Sequence, residues 1–128
     1  MSEHDSQVAV IQWAYIHEIR YPELAMLFAV PNAGKRSIGA ARYYLAEGLK
    51  SGVPDLILPI PELSIDDNKQ YCGLVIEMKD GKNKTTENQD WWLQHLARYG
   101  WKTAVHYSAN AAIKEICDYL KLPVDLCM

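Results

Sequence analysis

Gly52-Val53-Pro54-Asp55-Leu56-Ile57-Leu58, followed by Gly73-Leu74-Val75-Ile76-Glu77-Met78-Lys79, decides the fold. Each is an apolar run bounded by turn-forming residues, the pattern of a strand buried in a sheet. Strands are therefore predicted over 55–60 and 71–79. Side chains alternate along a strand, so Leu74, Ile76 and Met78 point one way and Val75, Glu77 and Lys79 the other. Glu77 and Lys79 then share a face, about 7 Å apart. Burying a carboxylate among apolar neighbours costs several kcal/mol unless a metal or a cation pairs with it. If the adjacent strand brings Asp55 alongside, two carboxylates and an ammonium converge into a site for a hard cation. The plainer alternative is a solvated ion pair on an edge strand, with Asp55 ending a turn.

Outward from this pair the chain reads as alternating helices and strands. A first helix runs from Ser2, with Val8, Ile11, Tyr15 and Ile19 at helical spacing, and Tyr21-Pro22 ends it. A short strand over 27–30 leaves into a turn. A second helix is expected from a Ser37 cap through Ala41, Leu45 and Leu49. Residues 61–70, carrying Glu62, Asp66, Asp67 and Asn68, read as a solvated loop. Thr86-x-x-Gln89 resembles a capping box that opens a helix through Trp92, Leu93, Leu96 and Tyr99, closed by Gly100. A strand over 103–107 and a helix with Ile113, Ile116 and Leu120 complete a mixed α/β order.

The 128 residues suit one core, so a single domain over 1–128 is expected. With 49% apolar and 23% charged residues, disorder and coiled coil are poor starting points. No apolar run approaches the roughly 20 residues of a membrane span and the N-terminus is acidic, so a cytoplasmic protein without a membrane partner is expected. The net charge of −3 argues against coating nucleic acid by bulk positive charge and leaves room for a local basic track. Lys35, Arg36, Lys50, Lys82 and Lys84 are the candidates for DNA phosphate. A phosphate-loop reading of Gly34-Lys35-Arg36-Ser37 fails, because Ala29 stands where the first glycine is needed and Arg36 where Ser or Thr should follow. Cys72, Cys117 and Cys127 form no Cys-x-x-Cys pair and read as free, mostly buried thiols. No His/Cys cluster suits zinc, and His17 and His106 read as structural. Trp91, Trp92 and Trp101 read as core or interface ahead of base stacking.

Asp55 and Glu77 as oxygen ligands suit Mg²⁺ or Mn²⁺, which lowers the pKa of bound water and neutralises phosphate charge. Lys79 would orient the nucleophile or stabilise the transition state. Such a set fits phosphodiester hydrolysis. Together with Pro31-Asn32, Lys50-Ser51-Gly52 and Thr86-x-x-Gln89-x-x-Trp92-Leu93, these residues resemble the PD-(D/E)xK nucleases, and among them the VRR-NUC (virus-type replication-repair nuclease) domains. That resemblance implies an α/β restriction-endonuclease-like core, a central mixed sheet flanked by helices. It also implies a metal-dependent DNA endonuclease. Catalytic roles would fall to Asp55, Glu77, Lys79 and Gln89. The metal would be held by Asp55, Glu77, the Met78 backbone carbonyl and Glu3 of the first helix. Compact members of the family imply a homodimer acting on branched DNA, including four-way (Holliday) junctions. The rivals are a DNA-binding accessory module with little catalysis and a flap-, fork- or restriction-type nuclease. For a dimer face the candidates are the helix around Trp91 and Trp92 and the apolar tail from Leu122 to Met128.

Overall fold

The computed structural model describes residues 2–31, 38–123 and 126. The expected Ser37 cap, Lys35, Arg36 and Cys127 lie outside the described residues. The helices are α1 (Glu3–His17), α2 (Ile38–Ala46), α3 (Glu87–Arg98) and α4 (Ala109–Leu120), with a 3₁₀ turn over Pro22–Met26. The strands are β1 (Phe28–Ala29), β2 (Leu56–Leu58), β3 (Glu62–Leu63), β4 (Gln70–Tyr71), β5 (Gly73–Met78) and β6 (Trp101–His106).

β5 is the axis of a four-stranded mixed sheet ordered β1-β2-β5-β6. All six of its residues are buried, as its nearly continuous apolar sequence requires of a strand covered on both faces. Leu74, Ile76 and Met78 enter the core with Val10, Trp13 and Ala14 of α1 and Ala112, Ile113 and Ile116 of α4. β2 pairs antiparallel and β6 parallel to β5. A parallel neighbour needs a crossover, and α3 supplies it, packing on β6 through its half-buried Trp92, Leu93 and Leu96. Trp101 lies across Gly73, where an added Cβ would sit 2.4 Å from the indole, so this tryptophan is a packing residue.

Four local expectations need correction. α1 buries Ser6, Val10, Trp13 and Ala14, while Tyr15 and Ile19 are 66% and 92% exposed and Ile19 lies beyond the helix. Apolar residues surround this helix, so spacing alone admits two faces; Trp13 decides between them by donating its indole N–H to the Leu126 carbonyl at 2.8 Å. That contact also buries Leu126, removing it from the expected exposed tail. Residues 61–70 are more than a loop, since β3 and β4 pair as a small hairpin. Asp67 holds its turn by accepting the Lys69 N–H at 3.1 Å and the Tyr71 hydroxyl at 2.6 Å. Cys72, between β4 and β5, is exposed, whereas Cys117 is buried. The helix and strand bounds otherwise shift by a few residues, with β2 shortened to Leu56–Leu58 and β6 beginning at Trp101.

His106 is structural, as its scattered position suggested: its Nε2 lies 2.9 Å from Glu115 Oε1, and Lys102 Nζ is 3.7 Å from the other carboxylate oxygen. The hydrogen bond to His106 holds the Glu115 carboxyl below its ordinary value of 4.5, against the opposing effect of burial. A lowered folded-state pKa contributes stability above the unfolded value, and that contribution fades as pH falls through the folded one. Glu115→Gln should therefore cost about 1 kcal/mol near neutral pH. Urea unfolding of both proteins across pH 7 to 3 checks this, with the gap expected to close in acid.

Candidate metal centre

The approach to β2 is fixed by Gly52. Its φ is +91°, and a Cβ there would fall 2.7 Å from the Asn88 backbone, so only glycine lets the chain pass this close to α3. Two further contacts hold the same crossing. Trp92 Nε1 donates to the Ser51 carbonyl at 3.2 Å, and the Asn88 side chain reaches Ser51 Oγ at 3.5 Å. Asn88 is not singled out by the sequence, and Ser51 enters it only within a motif. The Lys50-Ser51-Gly52 turn was the signal, and what it meets is visible only in three dimensions.

Asp55 immediately precedes β2. The register pairs Leu56 with Ile76, and one step further puts Asp55 across from Glu77. Directly opposed residues on an antiparallel pair share a face. Asp55 Oδ2 accepts the Met78 backbone N–H at 2.8 Å, which fixes its carboxylate at the end of β5. Glu3 arrives from the first turn of α1, where the helix N-terminus favours a carboxylate and Ser2 Oγ caps the Asp5 N–H at 3.1 Å. The result is a cluster in which Glu3, Asp55 and Glu77 each offer an oxygen within 4.8 Å of the others.

Glu77 is 2% exposed and Lys79 is 6% exposed, which rules out the solvated pair on an edge strand. Burial, then the Asp55 charge and a hydrogen bond to Asp55, push the Glu77 carboxyl up to about 9; Lys79 opposes and Glu3 adds to the rise. The Lys79 backbone N–H is held by the His106 carbonyl at 2.9 Å. Gln89 closes the site. Its Oε1 accepts the Thr86 N–H at 2.9 Å in the expected capping box, and this leaves Nε2 to donate to Glu77 Oε2 at 3.3 Å. One side chain thus starts α3 and fixes a carboxylate.

The donor set fits a divalent cation. All its atoms are oxygens, the preference of Mg²⁺ and Mn²⁺, and only a proton or a cation relieves three carboxylates held this close. Lys50, Lys82 and Lys84 are exposed, the first in the turn braced by α3 and the other two in the loop between Lys79 and α3. Trp91, 52% exposed, stacks on His95 at 3.9 Å.

Comparison with known proteins gives a family and a fold. The model of the VRR-NUC domain family matches residues 3–110. A solved structure described as a VRR_NUC domain protein superposes with a TM-score of 0.76 at 27% identity, covering 95% of this chain and 90% of the other. No curated protein matches the chain.

Because the folded protein holds a proton on Glu77 that the unfolded chain releases above about 4.5, this residue's contribution to metal-free stability falls as pH rises toward 9. Glu77→Gln, which mimics the protonated form, should remove that decline and leave the metal-free protein as stable as wild type or more so at pH 8. Thermal unfolding in chelator at pH 6, 7 and 8 checks it; a strongly destabilised variant would contradict the origin of the shift.

Proposed function

Since this chain belongs to the VRR-NUC family of nuclease domains, we propose that it is a Mg²⁺- or Mn²⁺-dependent DNA endonuclease acting on branched DNA, four-way junctions foremost. The observation that carries the reading is the cluster of Glu3, Asp55 and Glu77 with Lys79 buried beside it. A nuclease needs negative groups to hold a cation and a positive group to meet the phosphate, and the end of β5 brings them together, with Glu77 on the strand, Lys79 just past it, and Asp55 and Glu3 arriving from neighbouring segments of the chain.

Asp55, Glu77 and Glu3, with the Met78 carbonyl, would hold the cation, which when bound supplies Lewis acidity and lowers the pKa of an attacking water. Lys79 places its ammonium toward the charge that develops on the phosphate oxygens. Gln89 keeps the Glu77 carboxylate in one rotamer through the hydrogen bond from Nε2. Lys50, Lys82 and Lys84, with Lys35 and Arg36 from the sequence reading, supply a local positive track in a chain whose net charge is −3. A homodimer is part of the proposal. Among the described residues one subunit carries one such carboxylate cluster, and paired cuts across a two-fold symmetric junction call for two. The exposed Trp91 on α3 supports that face as the contact, and the burial of Leu126 leaves less of the C-terminal tail for it.

Purified protein tested on linear, flap, fork and four-way DNA should cut the four-way substrate best, with Mg²⁺ or Mn²⁺ and not in excess chelator. Asp55→Asn, Glu77→Gln and Lys79→Ala should each lower the rate about a hundredfold or more, Lys79→Ala with DNA affinity largely kept. Light scattering should give twice the 14.6 kDa of one chain. Robust cutting in chelator would overturn the metal assignment, and a preference for flaps would move the substrate away from junctions.

A further inference from the structure

Beyond the carboxylates, at the C-terminal ends of the parallel strands β5 and β6, lies an open cavity of about 390 Å³. Ser6, Gly81, Tyr107, Ser108, Ala109 and Asn110 line it. Its neighbours tie it to the site above. Ser6 lies three residues after Glu3, hence on the same side of α1. Gly81 follows Lys79 by two residues. Tyr107 lies two residues past Val105, the partner of Glu77 in the sheet, which is about 7 Å along the strand.

Two independent features make the cavity an acceptor of negative charge. The first is the N-terminus of the 12-residue helix α4. Ser108 Oγ accepts the Ala111 N–H at 3.1 Å and the Ser108 carbonyl accepts the Ala112 N–H. The N–H groups of Ala109 and Asn110 keep no acceptor among the described residues, and α4 has no acidic residue in its first turn. The second is Ser6. It is only 3% exposed, and its hydroxyl makes no hydrogen bond among the described residues. No sealed side-chain oxygen or nitrogen there lacks a partner, so the Ser6 hydroxyl is not enclosed and opens onto the cavity it lines. That hydroxyl therefore meets only what occupies the cavity, water or a ligand oxygen that accepts its proton. The rim is held in place as well, since the Tyr107 hydroxyl donates to the Asn83 carbonyl at 2.9 Å and so ties down the loop that carries Gly81.

The geometry points to a phosphate subsite in this cavity, in which the Ala109 and Asn110 N–H groups and the Ser6 hydroxyl hold a phosphate next to the one being cut. That the phosphate belongs to DNA rests on the proposed nuclease function; the donor set itself does not. The cavity has neither a cation nor a carboxylate in its lining, so its contribution is hydrogen bonding and position.

Ala109 is the first residue of α4, where proline fits the helix, and Ser108 before it has φ −150° and ψ 156°, the conformation proline asks of its predecessor. Ala109→Pro therefore deletes one donor with the helix intact, and Ser6→Ala deletes another. Binding of a four-way DNA should be measured in Ca²⁺ for wild type, both single variants and the double variant, with thermal unfolding alongside. The expected result is affinity lower by on the order of tenfold per donor lost, at unchanged melting temperature. The salt slope should stay as in wild type, because amides and a hydroxyl release no counterion of their own. Wild-type affinity in an Ala109→Pro variant that melts normally would overturn the proposal. Titration of the wild type with inorganic phosphate, followed by the amide NMR signals of Ser6, Ala109 and Asn110, gives a readout that needs no variant, and signals that stay still would likewise overturn it. Oligonucleotides with and without a 5′-phosphate assign the source: equal affinity means an internal phosphodiester, and a gain from the 5′-phosphate means a strand end, either of which upholds the subsite. If wild type cuts no DNA with Mg²⁺ or Mn²⁺ while these signals still move, the nuclease reading falls and the phosphate subsite stands.

Discussion

Carboxylates repel, and this protein holds three with oxygens inside 4.8 Å of one another, one of them on a residue 2% exposed. In a flexible region such a cluster would spread apart. Here it cannot, because two of the three sit across from each other on paired strands whose register is fixed by the core side chains of β2 and β5. A one-residue slip would turn Glu77 toward the core and Ile76 toward the site. The apolar core thus does more than stabilise the fold: it keeps a set of charges in an arrangement that they alone would abandon.

Everything nearby opposes the same repulsion in a directed way. The Met78 N–H neutralises part of Asp55, the Gln89 amide part of Glu77, and the first turn of α1 favours Glu3. Lys79 adds a full positive charge, yet burial and the other carboxylates still leave Glu77 holding its proton to about 9. Partial compensation has a consequence for binding. A site whose charges were fully satisfied within the protein would have little affinity for a cation, whereas this one retains a negative excess that only an added positive charge removes.

How much of this was legible in the sequence follows from the range of each interaction. Glu77 and Lys79 could be placed because strand alternation is local, whereas the capping box, a three-residue relation, put Gln89 only at the start of a helix and its place in the site came with the family resemblance. Asp55 was placed by assuming that two strands neighbour each other. Glu3 came only from family resemblance, since nothing in residues 3–18 distinguishes it from Asp5 or Glu18 until the helix is docked. The docked face of α1 was misread for the same reason: the bond from Trp13 to Leu126 joins residues 113 apart. The β3–β4 hairpin escaped because its strands are two residues long and half polar, too short for periodicity to register.

The placement of the site at one end of the sheet also has a topological cause. β5 and β6 run parallel, so their C-terminal ends open on the same edge, where the chain must leave each strand and begin a helix. Leaving β5 produces Lys79 and the exposed lysine loop; leaving β6 produces the N-terminus of α4. In open α/β sheets this edge gathers ligands, because helix N-termini bring unpaired N–H groups to it. In a chain of net charge −3, that edge is where attraction for a polyanion has to be concentrated. Three of the chain's carboxylates gather around the buried Glu77, while donors and exposed lysines occupy the margin of that cluster. Net charge is then a poor guide to the partner, and the arrangement of charge along one sheet edge a better one.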